Sequence, residues 1–176
     1  MGLRWGEAAA LRVRDVDVTR NRISIERNAV TVGTEVVIGT PKTHEVREVA
    51  VPASVMRMLI PVMEGKSPDE LLWPRRDGSP MKPPTHGKWY YNALDRCMDK
   101  YPDFPRVTPH GLRHVAAGLM VSAGANVKVI QRELGHSSAA MTLDIYAELF
   151  DEDLEAVGSA VDEKISDVVR LSSRRA

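Results

Sequence analysis

The side chains best suited to chemistry in this sequence are a histidine and an arginine at the start of a predicted helix. His110 and Arg113 lie three residues apart in H-G-L-R-H, so both project from the same side of that helix. The free N–H groups of a helix N-terminus attract phosphate, and an arginine adds a fork of two donors. The segment therefore fits a phosphate site. It fits equally a structural arrangement in which His110 caps the helix and Arg113 pairs with a buried acid.

Three further segments carry polar side chains that a plain helical domain would not need. Arg4 stands in G-L-R-W-G-E at the first predicted helix, and Lys42 lies in a turn between two predicted strands. His136 comes just after a helix end, and Tyr146 lies on the helix that follows. Each has an ordinary structural explanation when taken alone. These are a surface ion pair, a solvated lysine, a cap on helix carbonyls and a core aromatic.

The elements that must position these residues are those of a mainly α-helical α+β domain. From Arg22 onwards apolar and polar residues alternate, and Glu35–Ile38 and Val46–Val51 continue the β pattern. These runs predict a small three-stranded antiparallel sheet, packed on a helical bundle, with Lys42 near a hairpin tip. Helical spacing predicts helices over residues 7–11, 52–63, 88–100, 110–123, 126–135, 138–146 and 151–169.

One predicted helix, over residues 110–123, carries the most regular apolar spacing in the chain. Its apolar side chains recur at the intervals of one helical face, which predicts a single buried stripe that ends at Gly124. The stripe consists of Leu112, Val115, Ala116, Leu119, Met120 and Ala123.

Composition describes an ordinary globular protein and leaves its partners open. The 24 basic and 24 acidic residues give no net charge, so DNA binding is neither suggested nor excluded by charge alone. A single cysteine, Cys97, excludes an internal disulfide framework and any multi-cysteine metal cluster. No apolar run is long enough to cross a bilayer, and the first residues do not form a signal peptide. We therefore expect a cytoplasmic protein without a membrane partner.

The polar residues become specific when they are taken as an ordered set. Arg4 with Glu7, Lys42, His110-x-x-Arg113, His136 and Tyr146 resembles the active-site signature of the tyrosine recombinases, the phage integrase family. The surrounding phrases match as well: G-L-R-W-G-E, P-K-T, T-P-H-G-L-R-H and L-G-H-S-S-A-A-M-T-L-D-I-Y-A-E. The resemblance extends from Gly2 to about Leu149 and implies the recombinase catalytic fold.

The resemblance implies how a DNA phosphodiester would be broken. Tyr146 would attack the phosphorus and form a 3′-phosphotyrosyl link, which conserves the bond energy so that strands can be rejoined. Arg4 and Arg113 would bind the non-bridging oxygens, and His136 would donate a further hydrogen bond to them.

The resemblance also implies the proton transfers and the supporting contacts. Lys42 would act as general acid for the leaving 5′ oxygen, and His110 would assist proton transfer at Tyr146. Glu7 would orient His110 or an arginine from behind, while His114 is assigned to structure. The chemistry requires no cofactor and no metal. A four-histidine metal site of residues 86, 110, 114 and 136 has no familiar ligand spacing and is set aside.

The resemblance implies a division of the chain as well. Residues 1–150 are expected to form the catalytic domain, without the preceding helix and DNA-clamping domain that relatives have. Residues 151–170 are expected to form a C-terminal helix that docks on a neighbouring protomer or packs on its own core, and residues 171–176 a disordered tail. The expected partners are double-stranded DNA, other copies in a tetrameric synapse, and accessory DNA-bending proteins. The expected setting is a bacterial cell or a phage infection.

Three alternatives remain beside site-specific integration or excision. The first is a shortened remnant that binds DNA or partner subunits and does not cut, because a single domain makes fewer phosphate contacts. The second is strand cleavage of the type IB topoisomerase kind, which uses a similar set of Arg, Lys, His and Tyr residues. The third is a helix-turn-helix reader over Asn126–Tyr146, which leaves Arg4, Lys42 and His110-x-x-Arg113 unexplained.

Overall fold

The computed structural model describes residues 1–39, 46–140, 142–143, 159, 161–162 and 165–166. Within them the chain is a mainly helical α+β domain with a small antiparallel sheet, which confirms the predicted fold class. None of the helices in this part is long and apolar enough to span a membrane. The α-helices are α1 Trp5–Ala9, α2 Ala53–Met63, α3 Trp89–Lys100, α4 Gly111–Ser122 and α5 Val127–Leu134. Residues 139–140 and 142–143 are also helical.

The β structure consists of a sheet and a separate ribbon. Strands β1 Val16–Asp17, β2 Arg22–Ile25 and β5 Arg47–Ala50 form the three-stranded antiparallel sheet in the order β1–β2–β5. Strands β3 Asn28–Val32 and β4 Glu35–Gly39 pair only with each other among the described residues. The sequence pattern had placed β4 in the three-stranded sheet. Alternation indicates which residues are extended but carries no information on which strands pair, so this part of the prediction was wrong.

The hairpin turn of the ribbon lies at Gly33–Thr34, where Gly33 has a positive φ of 60° that favours glycine. The tip expected near Lys42 belongs to a different connection, between β4 and β5. Residues 40–45 connect β4 to β5, and Lys42 lies outside the described residues.

The main core is formed between the three-stranded sheet and α2. Ile23 and Ile25 alternate with half-buried neighbours along β2, as a strand with one covered face requires. Val49 lies opposite Ile23 in the sheet, and Met56 and Leu59 from α2 pack against them. This core fixes β5, the strand that approaches the candidate site.

A second core joins α4 and α5 and corrects the sequence prediction for α4. Its buried members are Ala117, Val121, Ile130 and Leu134, with Met120 packed at the edge. From the predicted stripe, Leu112, Val115 and Leu119 are instead 48–67% exposed. The buried positions of α4 are Arg113, Ala117 and Val121, which have the same helical period on a neighbouring face.

The rotation of α4 has two physical causes. Ala117 is small, so α4 can approach α5 closely on that side. Arg113 lies on the same face and reaches backbone carbonyls on the far side of the contact, at Gly2 and Leu134. Apolar spacing alone favoured the bulkier face, because it gives no weight to a buried arginine.

Candidate active site

The N-terminal segment is held close to the ends of α4 and α5. Gly2 has a φ of 58°, and a Cβ there would lie 2.6 Å from Leu134 Cδ2. A Cβ on Gly6 would lie 2.3 Å from the carbonyl oxygen of Ala29, so α1 packs directly on the backbone of β3. Both glycines therefore permit approaches that a side chain would block, and these approaches place Arg4 between them.

Arg4 is the N-cap residue of α1 and is bound through its backbone and its side chain. Its backbone N–H donates to Glu7 Oε2 at 2.9 Å, and its Nη1 donates to Glu7 Oε1 at 3.0 Å. Its Nη2 donates to the carbonyl oxygen of Gly135 at 3.1 Å, across 131 residues of sequence. The side chain remains 46% exposed, so part of the guanidinium faces solvent. Arg4 is thus both fixed in direction and accessible to a ligand.

Glu7 is the carboxylate that orients this cluster, and it binds a second arginine. Arg47, at the start of β5, donates Nη1 to Glu7 Oε1 at 3.0 Å and Nη2 to Glu7 Oε2 at 2.7 Å. Glu7 is only 2% exposed. Burial alone would raise the pKa of its carboxyl, but the hydrogen bonds and charge of Arg47, followed by the contacts with Arg4, hold that pKa below its usual range.

Arg113 is buried and donates to two carbonyl groups. Its Nη1 lies 2.6 Å from the carbonyl oxygen of Gly2, and its Nη2 donates to that of Leu134. The residue is 5% exposed and ties the N-terminal segment to the end of α5. The sequence left open that the side chain of His110 caps α4, and the structure excludes this. Thr108 Oγ1 instead accepts from the N–H of Gly111 at 3.0 Å.

His110 and His114 lie side by side at the start of α4. Their rings meet edge to face, with centroids 5.0 Å apart, and both residues are exposed. His110 is therefore one turn from the buried Arg113 and open to solvent, which suits a proton-transfer role at the rim of the site.

His136 is placed by the C-terminal cap of α5. Gly135 ends the helix in the left-handed conformation with φ 64°, and the N–H of His136 donates to the carbonyl oxygen of Gln131 at 3.0 Å. The ring Nδ1 lies 2.9 Å from Oγ1 of Thr142, which is fully buried. This hydrogen bond orients the ring relative to the helical residues 142–143.

Burial and positive charge lower the basicity of His136. Its pKa falls to about 4, first because the ring is partly removed from water and then because Arg113, Arg4, His114 and Arg47 are close enough to repel a proton. The imidazole is therefore neutral near pH 7. In the tautomer in which the Thr142 hydroxyl donates to Nδ1, Nε2 carries the ring proton and can donate it to an anion.

The structure brings together four of the seven residues that the sequence singled out. Arg4, Glu7, Arg113 and His136 meet around the end of α5, from three distant parts of the chain. His110 lies at the rim, whereas Lys42 and Tyr146 fall outside the described residues.

One member of the cluster, Arg47, was not expected. A signal for it exists in the alternation of β5, which places Arg47 on the same face as the fully buried Val49. A charged residue on the inward face of a strand needs a buried partner, and Glu7 is that partner.

The donor set of the cluster fits an anion better than a metal ion. It consists of guanidinium groups and a neutral imidazole, whereas metal sites need several anionic or lone-pair ligands. Among the residues that the structure describes, no three His, Cys, Asp or Glu side chains are grouped so that they could hold a metal ion. The arrangement can bind two or more oxygens of a phosphate and stabilise added negative charge on them.

Comparison with known proteins agrees with this geometry. The chain matches the phage integrase family over residues 1–153. It is 35% identical over 115 residues to transposase B of transposon Tn554 from Staphylococcus aureus, covering 61% of this chain and 18% of that protein. It is 29% identical over 178 residues to the integrase of Mycobacterium phage L5, covering 97% of this chain and 45% of the relative.

Solved structures show the same fold. The Tn1549 transposon integrase in complex with transposon right end DNA superposes with a TM-score of 0.74 at 24% identity, covering 89% of this chain and 55% of that one. The chain spans less than half the length of either curated relative. The family match covers most of the sequence and includes the whole arginine and histidine cluster, and on that basis the chain belongs to the phage integrase family.

Proposed function

We propose that this chain is the catalytic domain of a tyrosine recombinase, which cuts and rejoins duplex DNA in site-specific integration or excision. The observation that carries the proposal is the meeting of Arg4, Arg113 and His136 in one cluster. Arg4 lies 131 residues from Gly135 and Arg113 lies 21 residues from Leu134, yet each donates to the carbonyl oxygen of that residue. His136 follows Gly135 directly, so the three side chains meet at one turn of backbone. Such a cluster is expected where a phosphate is held.

The bond-breaking step is the one that the family resemblance implies, and the placement of these charges supports it. The Tyr146 hydroxyl attacks the phosphorus, the P–O5′ bond breaks, and the tyrosine becomes joined to the 3′ phosphate. Charge that develops on the non-bridging oxygens is met by Arg4 and Arg113, and the loss of one such donor typically costs about 10² to 10³ in rate. Attack by a free 5′ hydroxyl on the phosphotyrosine reverses the step and rejoins the strand.

The neutral state of His136 suits the same step. A histidine with a pKa of about 4 is uncharged near pH 7. Its Nε2–H can still donate a hydrogen bond to a non-bridging oxygen. Thr142, which orients the ring, precedes Tyr146 by four residues in the sequence. This supports Tyr146 as a nucleophile close to the phosphate.

The remaining protons are assigned from the sequence. Lys42 is proposed to protonate the leaving 5′ oxygen, and His110 to take part in proton transfer at Tyr146. Both roles are those that the resemblance to the family's active-site signature implies for these two positions. Neither a metal ion nor a cofactor has a part in the proposed step.

The proposed assembly is a set of four copies on two DNA duplexes, with residues 151–170 docked on a neighbouring copy and accessory DNA-bending proteins as further partners. Residues 1–150 form the catalytic domain in this proposal, and the DNA substrate places the reaction in the cytoplasm of a bacterium or an infected cell. The matched relatives are integrases and transposases, which favours strand exchange over topoisomerase-like relaxation or passive DNA binding.

The test is capture of the covalent intermediate. The protein is incubated with nicked duplexes that carry inverted-repeat recombination sites, so that cleavage releases a short fragment and cannot be reversed. An SDS-resistant adduct in the wild type, and none with Tyr146→Phe, is the expected result. An adduct that persists in Tyr146→Phe contradicts the choice of nucleophile, and a wild type that binds these duplexes without forming an adduct contradicts catalysis by this chain.

A further inference from the structure

We propose that Arg47 is a positioning residue for DNA cleavage, which fixes Glu7 and the backbone turn of residues 133–136 relative to each other. The proposal rests on the proposed function, because it concerns the placement of the phosphate-binding groups. Among the described residues, Arg47 contacts Glu7, Glu133 and Gly135, and its role would be carried through Arg4 and His136.

The contacts of Arg47 reach both supports of the phosphate-binding cluster. Two guanidinium nitrogens bind the two oxygens of Glu7 at 3.0 and 2.7 Å, and Nε donates to the carbonyl oxygen of Glu133 at 3.3 Å. The guanidinium also lies directly against Gly135. Arg47 is 13% exposed, so these bonds are shielded from water.

Arg4 depends on the same two supports. Its side chain binds Glu7 on one side and the carbonyl oxygen of Gly135 on the other. Arg4, Glu7, Arg47 and the turn of residues 133–135 therefore form a closed ring of contacts between α1, β5 and the end of α5. Loss of Arg47 would open the ring and leave Arg4 with one carboxylate that is no longer held.

The other side of the same turn carries His136. The carbonyl of Glu133 and the glycine that precedes His136 both contact Arg47, so the position of the imidazole depends on that contact. A second link strengthens the dependence: the Glu133 carboxylate accepts from the backbone N–H of Ala50, at 2.9 and 3.1 Å. The strand that begins with Arg47 is thus bound twice to the end of α5.

An arginine is required at this position. Its planar fork matches a carboxylate while Nε donates in a third direction, and lysine offers a single charged nitrogen without that geometry. A Cβ on residue 135 would lie 2.8 Å from Cζ of Arg47, so glycine leaves the space that the guanidinium occupies. Arg47 also begins β5, five residues after Lys42 in the sequence.

The first experiment compares Arg47→Ala and Arg47→Lys with a matched control, Arg27→Ala. Arg27 pairs with the buried Asp15, and their side chains are 17% and 4% exposed. The side chains of Arg47 and Glu7 are 13% and 2% exposed, so the control loses a similarly buried ion pair away from the site. At saturating DNA, Arg47→Ala is expected to slow adduct formation by about 10²-fold, the usual result of a small misplacement of reacting groups. Arg47→Lys is expected to recover part of the rate, and Arg27→Ala to keep it.

The same series has a readout that does not require cleavage. The pKa of His136, measured by NMR on ¹³C-labelled histidine and assigned with His136→Gln, is expected to rise in Arg47→Ala and to stay unchanged in Arg27→Ala. Unchanged adduct formation and an unchanged His136 titration in Arg47→Ala overturn the positioning role, as does an equal loss of rate in Arg27→Ala. If the wild type forms no adduct, the proposed function fails, and the titration still decides the role of Arg47.

A double-mutant cycle tests the contact with the turn. Gly135→Ala introduces the same backbone strain in any background, but its Cβ meets the guanidinium only when Arg47 is present. The loss of stability caused by Gly135→Ala, measured by urea unfolding, is therefore expected to be smaller in Arg47→Ala than in the wild type. Equal losses in both backgrounds overturn the claim that Arg47 supports the turn.

Discussion

Arg113 offers the sharpest test of how the N-terminal segment is attached to the helical core. Its buried guanidinium satisfies the carbonyl oxygens of Gly2 and Leu134, which lie on different elements. Arg113→Lys keeps the charge but can satisfy one of these carbonyls well, because an ammonium group lacks the planar fork. Arg113→Met keeps the apolar stem and satisfies neither.

The magnitude follows from the bonds that are lost. A hydrogen bond to a charged group contributes about 1.5 to 3 kcal/mol, and a buried group left without a partner costs a similar amount. One lost bond predicts that Arg113→Lys lowers the free energy of unfolding by about 2 kcal/mol, and two predict about 4 kcal/mol for Arg113→Met. The second loss is a large part of the 5 to 15 kcal/mol that stabilises a typical domain.

Urea unfolding followed by circular dichroism measures both differences at pH 7. Arg132→Lys is the matched control, because Arg132 lies on α5 near the same turn but is exposed, and its change should stay within about 0.5 kcal/mol. Values below about 1 kcal/mol for Arg113→Met would refute the buried double contact, since that substitution removes both bonds at once. A loss of DNA cleavage with full stability would mean that Arg113 serves the phosphate alone.

Three further predictions concern acidity, packing and assembly. The folded-state pKa of His136 is about 4, below the usual value of 6.5, so the neutral ring stabilises the fold above pH 6.5 and this contribution is lost as the pH falls from 6.5 towards 4. His136→Gln should therefore flatten the dependence of the unfolding free energy on pH in that window. An unchanged slope in urea unfolding would contradict the shift. Gly6→Ala should lower the unfolding free energy measured in urea by about 1 to 3 kcal/mol, because the new Cβ would lie 2.3 Å from the Ala29 carbonyl oxygen. Gly39→Ala is the control: its Cβ would enter open space, so it should have little effect in the same measurement. Deletion of residues 151–176 should leave the domain folded but reduce the order of its complexes on DNA in light scattering, and complexes of unchanged size would contradict the proposed docking.

Much of the fold could be predicted from periodicity, and its errors have a common cause. The helices α2, α3, α4 and α5 were expected close to their observed bounds, because each combines helical spacing with a glycine or proline signal at an end. The pairing of β4 and the rotation of α4 were wrong. Both depend on which surfaces meet, and a local pattern of apolar residues leaves that choice open.

The candidate site was predicted by residue type more completely than by geometry. Arg4, Arg113 and His136 were named from the family signature, whereas their separate interpretations from local sequence gave no reason to place them together. Arg47 was missed because an arginine at the start of a strand is usually solvated. Its inward direction became significant only when the buried Glu7 was found opposite it. The roles of Lys42 and Tyr146 stay predictions.

The concentration of guanidinium groups around Gly135 favours an anion as the ligand of this cluster. Arg4, Arg47 and Arg113 bring three guanidinium groups to the end of α5, and the single carboxylate of Glu7 binds two of them, Arg4 and Arg47. Removing guanidinium groups from water is costly, and replacing a buried ion pair by apolar residues of similar size often leaves stability unchanged or raises it. Partial burial, followed by the charges of Arg113 and Arg4, lowers the pKa of His136, so the imidazole does not add a further cation. A bound phosphate would relieve the repulsion between Arg4 and Arg113, and the stability of the protein should therefore increase when DNA binds.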